Sequence, residues 1–140
     1  MRKAEQRLWD TMKSRAPADV WLQRIENVAG DGIPDVMVIS GGVVSFVELK
    51  APSRPARART PLLGASEGLR KSQINWHLKA ASENARSFVL IRAHDDLEVL
   101  ALVSSAYAVD LNTMTVRQIR AAAAATGWNA IYEHLTGELE

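Results

Sequence analysis

Three charged side chains on two neighbouring predicted strands have the chemistry to hold a metal ion and activate a water molecule. Asp35 opens one apolar segment, and Glu48 and Lys50 lie two residues apart at the end of the next. Side chains alternate faces along a strand, so Glu48 and Lys50 share a face. Two carboxylates from adjacent strands suit a hard divalent cation, and a lysine beside them can orient a water. The pattern indicates metal-assisted hydrolysis of a phosphodiester.

Each of these residues also has a purely structural interpretation. Asp35 follows Pro34 and could cap a turn, whereas Glu48 and Lys50 could form an ion pair on one face of a strand. Charged side chains at the end of an otherwise buried strand are costly unless they bind something. Because three separate structural interpretations would have to coincide, we favour the catalytic one.

Length and composition indicate one domain. A chain of 140 residues can bury one core but not two. No apolar run is long enough to cross a bilayer, and no apolar stretch of the signal-peptide kind follows the charged N-terminus. The absence of cysteine excludes disulfides, thiolate zinc sites and cysteine nucleophiles, and it is compatible with the cytoplasm.

A basic segment follows the second of the two strands. The net charge of the chain is +1, yet from Lys50 to Lys71 six basic residues stand against Glu67 alone. This local charge indicates an anionic partner, with a solvated surface loop as the alternative. Residues 51–70 contain three prolines and two glycines, and a loop of this length in a compact domain is usually functional or mobile.

The N-terminal segment is predicted to be a helix over residues 2–15. Leu8 and Met12 belong to its apolar stripe, and Glu5 falls in the middle of that stripe. A glutamate on a face that packs against a core needs a partner. A pair with Arg2 or a buried salt bridge is the structural alternative to a role at the carboxylate site.

A second predicted helix, over residues 73–85, follows the basic segment, with Ser72 as its N-cap. Gln73 and His77 are i,i+4 neighbours on one flank of its core face. The apolar residues that we expect on this core face are Ile74, Leu78, Ala81 and Ala85.

The remaining pattern alternates between strands and helices, which predicts a mixed sheet with helices on its faces. We find no internal repeat. The other predicted elements are strands over 20–27, 35–39, 43–50, 88–93 and 97–103, turns at 30–32 and 41–42, a short helix over 105–109, and helices over 116–125 and 128–135.

Three motifs together resemble the PD-(D/E)xK nuclease superfamily, and most closely its small stand-alone VRR-NUC-like proteins, which are common in phages. They are Gly32-Ile33-Pro34-Asp35, Phe46-Val47-Glu48-Leu49-Lys50-Ala51-Pro52 and Ser72-Gln73-Ile74-Asn75-Trp76-His77. The Val-Arg-Arg tripeptide that names the family is absent, and Leu69-Arg70-Lys71 precedes the helix instead.

The resemblance covers roughly residues 1–103. It implies an α/β fold with a restriction-endonuclease-like core, in which helices flank a mixed central β-sheet. Residues 104–140 would then form an extra helical extension of the same single domain, 1–140.

The resemblance also implies roles for the residues that match. Asp35 and Glu48 would bind Mg²⁺ or Mn²⁺, and the backbone carbonyl of Leu49 would add an oxygen ligand. Glu5 would approach from the first helix as a further ligand of the metal or of its water. Lys50 would position the attacking water or stabilise the developing negative charge.

The second helix and the basic segment would hold the substrate. Gln73 would fix Lys50 or the scissile phosphate through its amide, and His77 would either contact a phosphate or pack beside Trp76. Contacts to phosphates position nucleic acid without reading its sequence. The basic residues that we expect to make these contacts are Arg54, Arg57, Arg59, Arg70 and Lys71.

The sequence therefore predicts a Mg²⁺- or Mn²⁺-dependent endonuclease that hydrolyses DNA, selects branched structures such as four-way junctions, and acts as a homodimer. Its expected location is the cytoplasm of a bacterial or phage-infected cell. The alternatives are a flap- or end-specific nuclease, a non-catalytic DNA-binding module with the same fold, and a protein whose basic loop binds an acidic protein.

Overall fold

The structure of the chain, a computed structural model, describes residues 3–25 and 32–137. Within them, one six-stranded sheet has its strands in the order of the sequence. Neighbouring strands are antiparallel, except that the third and fourth are parallel. The strands are β1 (Trp21–Arg24), β2 (Val36–Ser40), β3 (Val43–Lys50), β4 (Ser87–Ala93), β5 (Asp96–Ser104) and β6 (Ala125–Thr126).

Helices cover both faces of this sheet, so the predicted α/β class with a mixed sheet flanked by helices is confirmed. No helix in the described part of the chain is long and apolar enough to cross a membrane. The helices are α1 (Lys3–Arg15), α2 (Gly64–Glu67), α3 (Lys71–Ser82), α4 (Val116–Ala122) and α5 (Trp128–Thr136), with single 3₁₀ turns at Ser105–Tyr107 and Leu111–Thr113.

The predictions for the N-terminal half agree closely with these elements. The helix predicted over 2–15 is confirmed over residues 3–15, and its first predicted residue lies outside the described residues. The strand predicted over 43–50 is also confirmed. The strand predicted over 20–27 is shorter than expected. Its last two predicted residues, and the first two of the turn predicted at 30–32, lie outside the described residues. These elements were predictable because their apolar periodicity is set locally.

The buried face of α3 differs from the prediction. The expected core residues Leu78 and Ala85 are exposed, whereas the polar residues Gln73 and His77 are buried. The reason lies in the sheet below, because the face of β3 that α3 covers carries charged side chains that need polar partners.

The start of α3 also differs, since the helix begins at Lys71 with Arg70 as its N-cap residue rather than Ser72. The side-chain oxygen of Gln73 accepts a hydrogen bond from the backbone N–H of Arg70 at 2.8 Å. This bond gives a free backbone donor at the helix start an acceptor, which is the task that we expected of Ser72.

The helix predicted over 116–125 ends at Ala122, and the unpredicted strand β6 follows it. The N–H of Ala124 donates to the carbonyl of Leu102 at 2.8 Å, and Ala125 pairs in register with Leu102. The outer edge of β5 therefore finds a partner, and this tertiary pairing outweighs the helix propensity of the alanines.

Two apolar cores lie on opposite faces of the sheet. On one face, α1 and α5 pack on alternate residues of β2 and β3 such as Val47 and Leu49. On the other face, α4 and the loop before α3 pack on residues such as Val89 and Ile91. The C-terminal helices are thus divided between the two cores and complete both of them.

One buried hydrogen bond ties α5 to α1. The hydroxyl of Tyr132 donates to the backbone carbonyl of Met12 at 2.6 Å. This carbonyl lies in the last turn of α1, where the N–H of Ala16 bonds to Lys13 instead. Tyr132 therefore satisfies one of the acceptors that a helix end leaves free.

We expect Tyr132→Phe to lower the free energy of unfolding by about 1–2 kcal/mol, because a buried carbonyl loses its donor while apolar packing is kept. Urea denaturation followed by circular dichroism measures the change. Tyr107→Phe, at a tyrosine with 41% of its surface exposed, is the matched control and should leave stability unchanged. Equal stability of both variants and the wild type would contradict this role of Tyr132.

Candidate active site

The two carboxylates of the candidate site meet because β2 and β3 form a hairpin. Val36 pairs with Val47 in the antiparallel register, so one residue further along Asp35 lies beside Glu48. The carboxylate of Asp35 accepts a hydrogen bond from the backbone N–H of Leu49 at 2.7 Å. This bond fixes the Asp35 side chain against the end of β3.

Arg24 on β1 supports Asp35 from the opposite side. Its guanidinium donates to the backbone carbonyl of Asp35 at 3.1 Å and lies 3.6 Å from the carboxylate. Sequence reasoning gave Arg24 no role, because its position depends on the pairing of β1 with β2.

Glu48 is almost fully buried, with 2% of its surface exposed. One carboxyl oxygen accepts a hydrogen bond from the side-chain amide of Gln73 at 3.0 Å. The other is sealed from solvent without a hydrogen-bond partner and lies 3.6 Å from Nε2 of His77. A buried carboxyl oxygen with no donor is a costly arrangement, and a ligand that binds it would remove that cost.

The surroundings of Glu48 disfavour its negative charge. Burial, reinforced by the charge of Asp35 and to a smaller extent by that of Glu5, raises the pKa of Glu48 to about 9. The positive charge of Lys50 acts in the opposite direction. Without a cation, Glu48 is therefore protonated at neutral pH.

Lys50 is held by two acceptors beside Glu48. Its ammonium donates to the backbone carbonyl of Gly68 at 3.1 Å and to the side-chain oxygen of Gln73 at 3.3 Å. The amide of Gln73 thus bridges Lys50 and Glu48, and its placement agrees with the expectation from the sequence. Two of the three N–H donors of Lys50 are used, which leaves one for a water or a phosphate oxygen.

Two close backbone approaches hold α3 and its preceding loop in this position. Gly32 has φ +80°, and a Cβ there would collide with the backbone of Ser72. A Cβ on Gly68 would collide with the side chain of Asn112, which makes two hydrogen bonds to the backbone of Leu69. Glycine at these positions lets the loop before Asp35 come close to the start of α3 and lets the segment whose carbonyl binds Lys50 pass close to Asn112.

Of the two places expected for His77, the structure shows the one beside Trp76, whose ring centroid lies 5.3 Å from that of His77. The side chain of His77 is fully buried and does not lie on the surface. Nδ1 lies 2.5 Å from the hydroxyl of Ser105, and Nε2 faces Glu48. Burial, followed by the charge of Lys50, lowers the pKa of His77 to about 4, so the imidazole is neutral at pH 7.

Ser105 is a site residue that sequence reasoning missed. It lies in the 3₁₀ turn after β5, is buried, and shares a hydrogen bond with His77. If the hydroxyl donates to Nδ1, the imidazole carries its proton on Nε2, which points at the unpartnered oxygen of Glu48. No sequence signal separates Ser105 from other serines, because its position depends on where the β4–β5 hairpin places the end of β5.

Glu5 reaches the same region from the other face of the sheet. It is half-buried near the start of α1, one turn before the buried residue Leu8. Its charge raises the pKa of Glu48, which is consistent with the expected position near the carboxylate pair.

Most of the expected phosphate-binding residues lie on the surface. Arg54 differs from the others, because its guanidinium forms an ion pair with Asp96 at 2.5 Å. Its backbone N–H also donates to Asp95, so Arg54 ties the segment after β3 to the β4–β5 turn. Arg54 is exposed as well, as are the other expected phosphate-binding residues, Arg57, Arg59, Arg70 and Lys71.

The oxygen donors of the site fit a hard cation that keeps most of its water. The described residues contain no group of three or more His, Asp or Glu side chains arranged to hold a metal ion. Mg²⁺, however, is commonly bound through one or two carboxylates together with waters and substrate oxygens. Asp35 and Glu48 provide such a pair, and a cation between them would relieve the repulsion that raises the pKa of Glu48.

Comparison of the chain with protein-family models, with curated proteins and with solved structures gives no match. The assignment of function therefore depends on the geometry and chemistry of this site.

The raised pKa of Glu48 predicts how stability depends on pH when EDTA removes divalent cations. Between about pH 7 and 9, above the range in which an unfolded histidine loses its proton, the unfolded chain has released the proton that folded Glu48 retains, so stability should fall as pH rises through this range. The slope approaches about 1.4 kcal/mol per pH unit for one proton. Glu48→Gln, which stays uncharged, should lack this contribution and be more stable than the wild type at pH 8.

Denaturation at several pH values measures these slopes. Glu83→Gln, at a glutamate whose side chain is 68% exposed, is the matched control and should keep the wild-type slope. A Glu48→Gln protein whose stability falls as steeply as that of the wild type would contradict the assignment.

Proposed function

We propose that the protein is a divalent-metal-dependent nuclease of the PD-(D/E)xK kind, related to VRR-NUC proteins, and that it hydrolyses phosphodiester bonds of DNA. The observation that carries the proposal is the joint placement of three residues at the ends of two paired strands. Asp35 and Glu48 lie side by side, and Lys50 is held next to Glu48 by the amide of Gln73.

Asp35, Glu48 and the carbonyl of Leu49 would hold Mg²⁺ or Mn²⁺, with Glu5 as a further ligand of the ion or of its water. The bound cation supplies charge neutralisation and a water of lowered pKa. Lys50 directs its remaining N–H toward the water or a phosphate oxygen and stabilises negative charge that develops there. Gln73 holds the side chains of Lys50 and Glu48 in place relative to each other through its two hydrogen bonds.

The exposed basic residues after β3 would bind the DNA backbone. Arg70 and Lys71 begin α3, the same helix whose Gln73 contacts both Glu48 and Lys50. Arg57 and Arg59 are exposed on the loop that leaves β3. Because such contacts go to phosphates, binding should weaken steeply as salt rises.

As the preferred substrate we propose branched DNA, cut by a homodimer whose two sites are related by a two-fold axis. Two such sites suit paired nicks on two strands. Flap- or end-specific cleavage and DNA binding without cleavage are outcomes that the same experiment can distinguish.

The test is cleavage of labelled single-stranded, linear duplex, flap and four-way junction DNA with Mg²⁺, Mn²⁺ or EDTA. We expect metal-dependent cleavage, greatest on the junction, that Asp35→Ala abolishes. Lys50→Met should lower the rate about 100- to 1,000-fold, because it removes a cation that stabilises the transition state.

The matched control is Lys79→Met, which changes a lysine of α3 whose side chain is 78% exposed and should leave the rate unchanged. Metal-dependent cleavage that persists in Asp35→Ala would contradict the proposed site. Tight binding of DNA without cleavage of any substrate would instead favour the non-catalytic module.

His77 has a positioning role in this proposal. A neutral imidazole that donates from Nε2 would orient the second oxygen of Glu48, and Ser105 would fix the tautomer. Hydrogen bonds from such outer residues commonly change metal affinity 10- to 100-fold. His77→Leu removes the donor at similar volume and should weaken Mn²⁺ binding within that range, whereas His77→Gln should retain most of the affinity.

Titration calorimetry with Mn²⁺ measures this effect without DNA, and circular dichroism checks that each variant is folded. A folded His77→Leu protein that binds Mn²⁺ as tightly as the wild type would show that the contact is only structural.

A further inference from the structure

Arg92 lies at the same end of the sheet as the candidate active site, but on the other face. Lys50 pairs with Ile91 in the parallel register of β3 and β4, and Arg92 is the next residue of β4. Side chains alternate along the strand, so Arg92 shares a face with Leu90, which belongs to the core under α1 and α5. Arg92 and Lys50 therefore project from opposite faces of the sheet at the same end of its strands.

Arg92 is buried without an opposite charge. It has 8% of its surface exposed, and its Nε is sealed from solvent with no hydrogen-bond partner. Among residues 3–25 and 32–137, no Asp or Glu forms an ion pair with it. A sealed N–H without an acceptor is destabilising, so the Nε of Arg92 calls for a ligand oxygen.

The surroundings of Arg92 add to its positive charge. Burial lowers its pKa, and repulsion from Arg7 and Arg15 of α1 lowers it further. Both of these arginines are exposed, and in the described part of the chain neither forms an ion pair. Three guanidinium groups that form no ion pair with a described residue favour an anion that carries several oxygens.

We infer that Arg92 binds a phosphate on the α1 face of the sheet, opposite the face that carries Lys50. This phosphate belongs to the backbone of the DNA substrate, so the inference rests on the proposed function. Arg70 and Lys71 begin α3 on the Lys50 face. Phosphate contacts on both faces would then hold the DNA across the end of the sheet, where Asp35 and Glu48 lie.

The test compares Arg92→Met with the wild type in EDTA, so that no DNA is cleaved. Without DNA, Arg92→Met should unfold at the same or a higher temperature, because an unpaired buried charge has been removed. Its affinity for four-way junction DNA, measured by fluorescence anisotropy, should fall about tenfold, as expected for one charge-assisted contact. The slope of log affinity against log salt is negative, and its magnitude should become smaller by about one.

Two further variants make the comparison specific. Arg92→Lys keeps the charge and should retain the wild-type salt slope with part of the affinity. Arg117→Met changes an exposed arginine of α4 and should alter neither stability nor binding. A lower unfolding temperature of Arg92→Met together with an unchanged salt slope would overturn the inference, because Arg92 would then be a structural residue.

Inorganic phosphate separates this inference from the nuclease proposal. We expect phosphate to raise the unfolding temperature of the wild type more than that of Arg92→Met, whether or not the protein cleaves DNA. Equal shifts for the two proteins would overturn the anion site even if cleavage is observed. If phosphate raises the unfolding temperature of the wild type more than that of Arg92→Met, but both proteins bind DNA equally well, the assignment of the occupant as DNA would be overturned.

Discussion

The burial of the Glu48 carboxyl group determines much of the structure around it. A carboxyl group that is 2% exposed, beside a second carboxylate, needs donors from every element that covers it. For this reason α3 turns a polar face toward the sheet and buries Gln73 and His77. The helix is thus oriented by the hydrogen-bonding needs of β3, in opposition to its own apolar pattern.

The loop before α3 is shaped by the same need. The carbonyl of Gly68 must reach Lys50, and Asn112 holds the adjacent backbone of Leu69 in place. On the other side, Gly32 allows the segment before Asp35 to touch the backbone at the start of α3. A long loop with little regular structure is therefore fixed at the points where it contacts the carboxylate site.

The end of the sheet that carries Lys50 and Arg92 has two chemically different faces. On the α3 face, every charged group of the site has a partner or lies near one, and the arrangement suits a cation and a water. On the α1 face, Arg92 is buried without an opposite charge beside further arginines. The DNA that we propose as the substrate would meet positively charged side chains on both faces of this end of the sheet.

The sequence by itself determined the class of fold and the pair of strands that carry Asp35, Glu48 and Lys50, because strand periodicity and the glycine turn between them are local properties. Only the tertiary structure decided the buried face of α3, the pairing of β6, and the roles of Ser105 and Arg92. These depend on which residues other elements bring near. Gln73 and His77, for example, are buried where Glu48, Lys50 and Ser105 supply their hydrogen-bond partners.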